Sequence, residues 1–166
     1  MMLFLIPARA GSKRLPGKNK RLFCGLPLWQ WSVMTARRMA KPGDDIIVSS
    51  DDPEIFKSEF GEYRTANFCR DESTTQSLVN CYFLRGYRVI CLLQPTSPTR
   101  SDFIVRSLMG ANDTVRSVTD GEPNGQCYVY HQGRPIVFDI PTARGHDIDT
   151  LEQFEEAEKA MLERFH

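Results

Sequence analysis

The chain has 166 residues, 41% of them apolar and 25% charged, enough for one domain with a buried core. Its 21 Lys and Arg balance 21 Asp and Glu, and a zero net charge argues against a general nucleic-acid binder. No apolar run reaches the length of a membrane span, and the opening Met-Met-Leu-Phe-Leu-Ile is too short and too uncharged for a signal peptide.

Met2 to Ile6 reads as a buried strand. A helix is expected from about Leu28 to Ala40, where Trp29, Val33, Ala36 and Ala40 recur at helical spacing before Pro42-Gly43. Asp45 to Ser50 forms a second buried strand. Asp51-Asp-Pro-Glu then starts a short helix to about Phe60, with Asp51 and Asp52 as caps. A weaker strand follows at Tyr63–Asn67, and a helix from Ser73 through Leu84. Arg88 to Leu93 is the third buried strand. It empties into Gln94-Pro-Thr-Ser-Pro-Thr-Arg100, a loop that two prolines keep from becoming helix. Ser101-Asp102 caps a helix to about Ala111. Strands are expected at Thr114–Thr119 and Gln126–His131, with Glu122-Pro-Asn-Gly125 as the turn between them, and a short one at Ile136–Ile140. The last helix, from about Thr150, carries Leu151, Phe154, Ala157, Met161 and Phe165 on one face. Early strand–helix alternation predicts an α/β fold: a three-layer α/β/α sandwich on a mainly parallel sheet, as a single domain over residues 1–166.

The charge is unevenly distributed. Residues 1–43 hold nine basic side chains and no acidic one, and residues 147–166 hold seven acidic and two basic. The loop after the first strand concentrates Arg9, Lys13, Arg14 and Lys18 with two Gly, two Pro and a Ser. A nucleoside triphosphate carries roughly four negative charges, so clustered cations beside exposed backbone N–H groups suit it. The loop is neither a Walker A motif nor a G-x-G-x-x-G. A solvated basic surface loop is the plainer alternative. Direct attachment to a buried strand favours the anion site, because ligands of open α/β sheets bind beyond the carboxyl ends of strands. The five cysteines, Cys24, Cys69, Cys81, Cys91 and Cys127, lack C-x-x-C spacing and read as free thiols of a cytoplasmic protein. Trp29 and Trp31 read as packing residues rather than a base-stacking platform.

Four segments, in order, resemble the cytidylyltransferases that activate acid sugars of sialic, legionaminic, pseudaminic and Kdo type. They are IPARAGSKRLPGKNKRLFCGLPLW (6–29), VSSDDPEI (48–55), LLQPTSPTR (92–100) and GHDIDTLEQFEEAE (145–158). The resemblance implies a nucleotide-diphospho-sugar transferase fold and transfer of CMP from CTP to the anomeric hydroxyl of an acid sugar, releasing pyrophosphate. It implies that Arg9 and Lys13 hold the triphosphate and that Lys18 neutralises charge near the α-phosphate. Ala8, Gly11, Ser12, Asn19, Ser73 and Thr74 would contact the nucleotide, and Gln94, Thr96, Arg100 and Asn124 the sugar.

Asp147 and Asp149 match the family carboxylates placed for Mg²⁺, a hard ion that takes few carboxylates and completes its shell with water and phosphate oxygen. Asp149-Thr-Leu-Glu152 equally reads as a helix N-cap with a capping box. Arg100 suits a sugar carboxylate or a brace for its own loop. Asn124-Gly125 matches a family element or a simple turn. His146 reads as a surface residue. Few residues separate Val118 from Glu122, where family members carry a long excursion that shapes the sugar pocket and reaches a partner subunit. Its absence weakens the expected homodimer and leaves an inactive nucleotide-binding relative as the alternative function.

Overall fold

The computed structural model describes residues 1–68, 74–142 and 145–163. In chain order the elements are β1 (Leu3–Pro7), β2 (Leu22–Phe23), β3 (Leu26–Pro27), α1 (Leu28–Met39), β4 (Asp45–Ser50), α2 (Pro53–Phe56), β5 (Gly61–Tyr63), α3 (Thr75–Leu84), β6 (Val89–Leu92), α4 (Asp102–Met109), β7 (Thr114–Thr119), β8 (Glu122–His131), β9 (Ile136–Pro141) and α5 (Leu151–Glu163). Among the described residues seven strands form one sheet in the order β5-β4-β1-β6-β8-β7-β9, and β2 and β3 form a small separate hairpin. β5, β4, β1 and β6 run parallel; β8 is antiparallel to both β6 and β7, and β9 is parallel to β7.

β1 lies inside the sheet and is apolar on both faces, as a doubly covered parallel strand must be. Its alternate side chains divide between two cores. Phe4 and Ile6 pack with Trp29, Val33 and Ala36 of α1 and with Val105 and Leu108 of α4. Leu3 and Leu5 pack with Leu78, Val79 and Tyr82 of α3. Helices therefore cover the sheet from both sides. A third core stands apart: Phe154 and Ala157 of α5 pack on Phe23, Leu28, Ile148 and Leu15, the last from the basic loop. The rings of Phe23 and Phe154 meet edge to face at 5.5 Å. The buried stripe of α5 is narrower than its sequence period implies: Leu151 is exposed, and Phe165 lies outside the described residues.

Two turns differ from expectation. The β7–β8 reversal is made by Asp120-Gly121, both at positive φ (54° and 84°), with Thr119 opposite Glu122. This is the two-residue geometry that Asp-Gly favours. Glu122-Pro-Asn-Gly125 is consequently strand, and Pro123 pairs with Val118. The β2–β3 hairpin, turning at Cys24-Gly25 (φ 47° and 83°), has no counterpart among the expected elements. α2 also stops early, at Phe56.

Candidate active site

The parallel strands deliver their carboxyl ends to one edge of the sheet, and the loops leaving β1, β5 and β6 meet there. They enclose a cleft of about 450 Å³ whose described lining includes Arg9, Ser12, Lys13, Arg14, Lys18, Asn19, Arg64, Thr75, Gln94, Thr96 and Asp149. Among those described lining residues five cations face the carboxylate of Asp149. Such an imbalance in a concave site draws and holds anions.

The end of β4 anchors the start of the basic loop. Ala8 N–H donates to Ser49 O (2.9 Å) and Ser50 Oγ donates to Ala8 O (2.6 Å). Ala10 N–H donates to Asp51 Oδ1 (2.7 Å), and Asn19 Nδ2 donates to Arg9 O (2.9 Å). Asp52, by contrast, is the cap of α2, accepting from Glu54 N–H (3.0 Å). Gly17 at φ 66° turns the chain into one 3₁₀ turn, Lys18–Lys20, which buries Lys18 and Asn19. Lys18 Nζ donates to Ile148 O (2.7 Å) and to Asp149 Oδ1 (2.9 Å), while Arg14 pairs with Asp149 Oδ2 (2.7 Å).

The start of α5 is capped by a neighbour of Asp149. The N–H groups of Asp149 and Thr150 both donate to Gln153 Oε1 (2.8 and 3.0 Å), and Gln153 N–H donates to Thr150 Oγ1 (3.3 Å). Thr150 and Gln153 are the capping box, one residue later than expected, and the Asp149 side chain faces the cations.

The remaining candidates divide. Gln94 and Thr96 line the cleft, and Ile148 N–H donates to Thr96 O (2.8 Å), tying the β6 exit to the segment before α5. Gly125 at φ 69° lies against Gln94, where an added Cβ would come within 3.1 Å of Oε1. Asn124 and Asp147 line a second hollow of about 710 Å³, with Asp120, Glu122, His146 and Glu156. Asp147 thus faces a different space from Asp149. Asn124 sits in a side-chain network, donating to Thr119 Oγ1 (2.9 Å) and Thr142 Oγ1 (2.7 Å).

Arg100 is 7% exposed and braces the fold: its guanidinium donates to Gln126 O (2.7 Å), Ser32 Oγ (2.9 Å) and Gln94 O. Burial pulls it down to about 10, still above neutral pH. Of its two readings, the geometry favours the brace over a sugar contact. Thr74 caps α3, accepting from Ser77 N–H (3.1 Å), while its neighbour Thr75 reaches the cleft. Ala8 is buried beneath the loop, Gly11 belongs to the loop without lining the cleft, and Ser73 lies outside the described residues. Arg14, Arg64 and Thr75 were not among the expected contacts. Arg14 stood in the cation run; Arg64 follows a strand whose carboxyl end opens on the same edge as β1 and β6.

A mainly parallel sheet with a cationic loop at the carboxyl end of its first strand is an open α/β fold with its basic cleft where ligands of such sheets bind. Residues 3–82 match the family model described as cytidylyltransferase. It is 33% identical over 135 residues to the CMP-N,N'-diacetyllegionaminic acid synthase of Legionella pneumophila, covering 74% of this chain and 58% of that protein. It is 34% identical over 116 residues to a pseudaminic acid cytidylyltransferase of Campylobacter jejuni, covering 63% and 50%. The chain thus spans about half the length of these curated relatives. A solved CMP:2-keto-3-deoxy-manno-octonic acid synthetase, complexed with CTP, shares the fold: TM-score 0.72 at 19% identity over 98% of this chain and 99% of that one. Among the described residues no helix is long and apolar enough to cross a membrane.

Proposed function

We propose that the basic cleft binds CTP and that the protein transfers CMP to the anomeric hydroxyl of an acid sugar of sialic or legionaminic type. The observation that carries this reading is the cationic cleft at the carboxyl ends of β1 and β6, in a chain whose first half matches the cytidylyltransferase model. The sugar oxygen attacks the α-phosphorus, the bond to the β-phosphate breaks and pyrophosphate leaves. Displacements of this kind need alignment and charge stabilisation more than covalent help. Arg9, Lys13, Arg14 and Arg64 would neutralise the phosphates, and Lys18, held by Asp149 and Ile148 O, would present a fixed charge.

Magnesium fits as a partner of the triphosphate rather than as a protein-caged ion. No cluster of three or more His, Cys, Asp or Glu suited to a metal occurs among the described residues, and Asp149 lines the cleft. Mg²⁺ is commonly bound through one or two carboxylates plus substrate phosphates. Asp149 would hold it, with Asp147 the weaker candidate, and the ion would supply further neutralisation of phosphate charge. Asn124 and the second hollow would take the acceptor. Because Asp120, Glu122, Asp147 and Glu156 line that hollow, an acid sugar would turn its carboxylate toward the basic cleft.

The test is pyrophosphate release from CTP with Mg²⁺ against sialic, legionaminic, pseudaminic and Kdo sugars. Release that depends on one sugar supports the reading and names the acceptor. Binding of CTP without release from any sugar overturns the transferase in favour of a binding role.

A further inference from the structure

Asp51 was expected to cap a helix, yet Asp52 holds that position and Asp51 reaches back to the basic loop. The two bonds found there fall on one peptide group. The C=O of Arg9 accepts from Asn19 Nδ2 at 2.9 Å, and the N–H of Ala10, the other half of the same plane, donates to Asp51 Oδ1 at 2.7 Å. A peptide unit is planar, so gripping both ends fixes the plane's rotation and with it ψ of Arg9. The preceding plane is fixed as well: the C=O of Ala8 accepts from Ser50 Oγ at 2.6 Å. Arg9 is thereby held on both sides by backbone planes tied to β4 and to the 3₁₀ turn.

We propose that Asp51 and Asn19 form a clamp on the Arg9–Ala10 peptide that aims the Arg9 side chain into the anion cleft, making Asp51 a positioning residue for polyphosphate binding. The inference rests on the proposed anion-binding role of the cleft.

It makes a prediction of unusual sign. Asp51 is an anion beside an anion site, so charge alone requires its removal to tighten binding. The clamp requires the opposite for Asp51→Ala, which deletes the acceptor, and not for Asp51→Asn, which keeps an oxygen acceptor without the charge. Binding of CTP with Mg²⁺, and of inorganic pyrophosphate alone, is measured by calorimetry for wild type, both variants, Arg9→Ala and Arg9→Ala/Asp51→Ala. Thermal unfolding checks that each is folded. Asp51→Ala is expected to weaken both probes by roughly tenfold, as loss of a charge-assisted bond and a misaimed side chain allow. Asp51→Asn binds at least as well as wild type, and Asp51→Ala adds no further loss once Arg9 is gone.

Wild-type or tighter binding by Asp51→Ala overturns the clamp. So does equal weakening by Asp51→Asn, or an additive loss in the Arg9→Ala background. If wild type binds pyrophosphate but not CTP, the cytidylyltransferase reading falls and pyrophosphate still decides the clamp. If it binds neither, the clamp's role in anion binding falls too.

Discussion

Lys18 is 8% exposed, and its ammonium is held between a carbonyl and a carboxylate. A buried cation is tolerated when paired and hydrogen-bonded. That arrangement fixes the charge in advance, which is what stabilising phosphate charge requires. Lys18→Met keeps the apolar stem and removes the charge; steady-state kinetics are expected to show turnover reduced by a factor on the order of 10²–10³. Asp149 retains Arg14 in that variant, so the circular dichroism spectrum is expected to match wild type. At the residue scale, the cations of the basic loop were legible because their clustering is a linear property. The direction of Arg100 was not. An arginine in a loop points wherever tertiary acceptors lie, and its three acceptors come from α1, β8 and the β6 exit.

Among elements, α5 links the sequence most directly to the site. Phe154 fills the core beneath the basic loop, and the Thr150–Gln153 box fixes where the helix begins. Thr150→Ala is expected to cost about 1 kcal/mol in denaturant unfolding. Phe154→Ala is expected to cost about 3–5 kcal/mol, and also to weaken CTP binding, because Asp149 enters the cleft from the turn that this ring seats. The edge strand β5 is tied to α3 by Glu62, which accepts from Arg85 and from Tyr82 (2.9 Å). The hydrogen bond from Arg85 holds the Glu62 carboxyl below its ordinary range. A carboxylate depressed in the folded state contributes stability above its unfolded pKa, lost as pH falls through the lower folded value. Glu62→Gln therefore flattens the acid side of the stability–pH curve measured by urea unfolding, modestly, since the pair is partly solvated.

Helices and buried strands were readable from period and composition; the turns were less so. Pro123 and Asn124-Gly125 carry the composition of a turn and lie in β8, while Asp120-Gly121, two residues of the right type in a short gap, make the real one. The β2–β3 hairpin is two residues per strand, too short for any alternation to register.

For the whole molecule, the net charge of zero conceals a division of labour: the described lining of one hollow is mainly basic and that of the other mainly acidic. Exposed charges act through a field that salt screens over roughly 10 Å at 0.1 M. CTP affinity is therefore expected to fall steadily as ionic strength rises, measured by titration at constant pH, and uridine or guanosine triphosphates are expected to show the same slope, since the slope counts charge and not base.

The bond between Lys18 and Asp149 joins residues 131 positions apart. As the chain emerges from the ribosome its basic loop precedes β2 to β9, and the carboxylate that steadies the lysine arrives only after β9 has been made. Until then the ammonium has no reason to leave water, and Leu15 of the loop has no Phe154 or Ala157 to pack against. The fixed charge of Lys18 is thus acquired only when the segment before α5 has been made, and a nascent chain carrying the loop without that segment holds a cluster of loose cations.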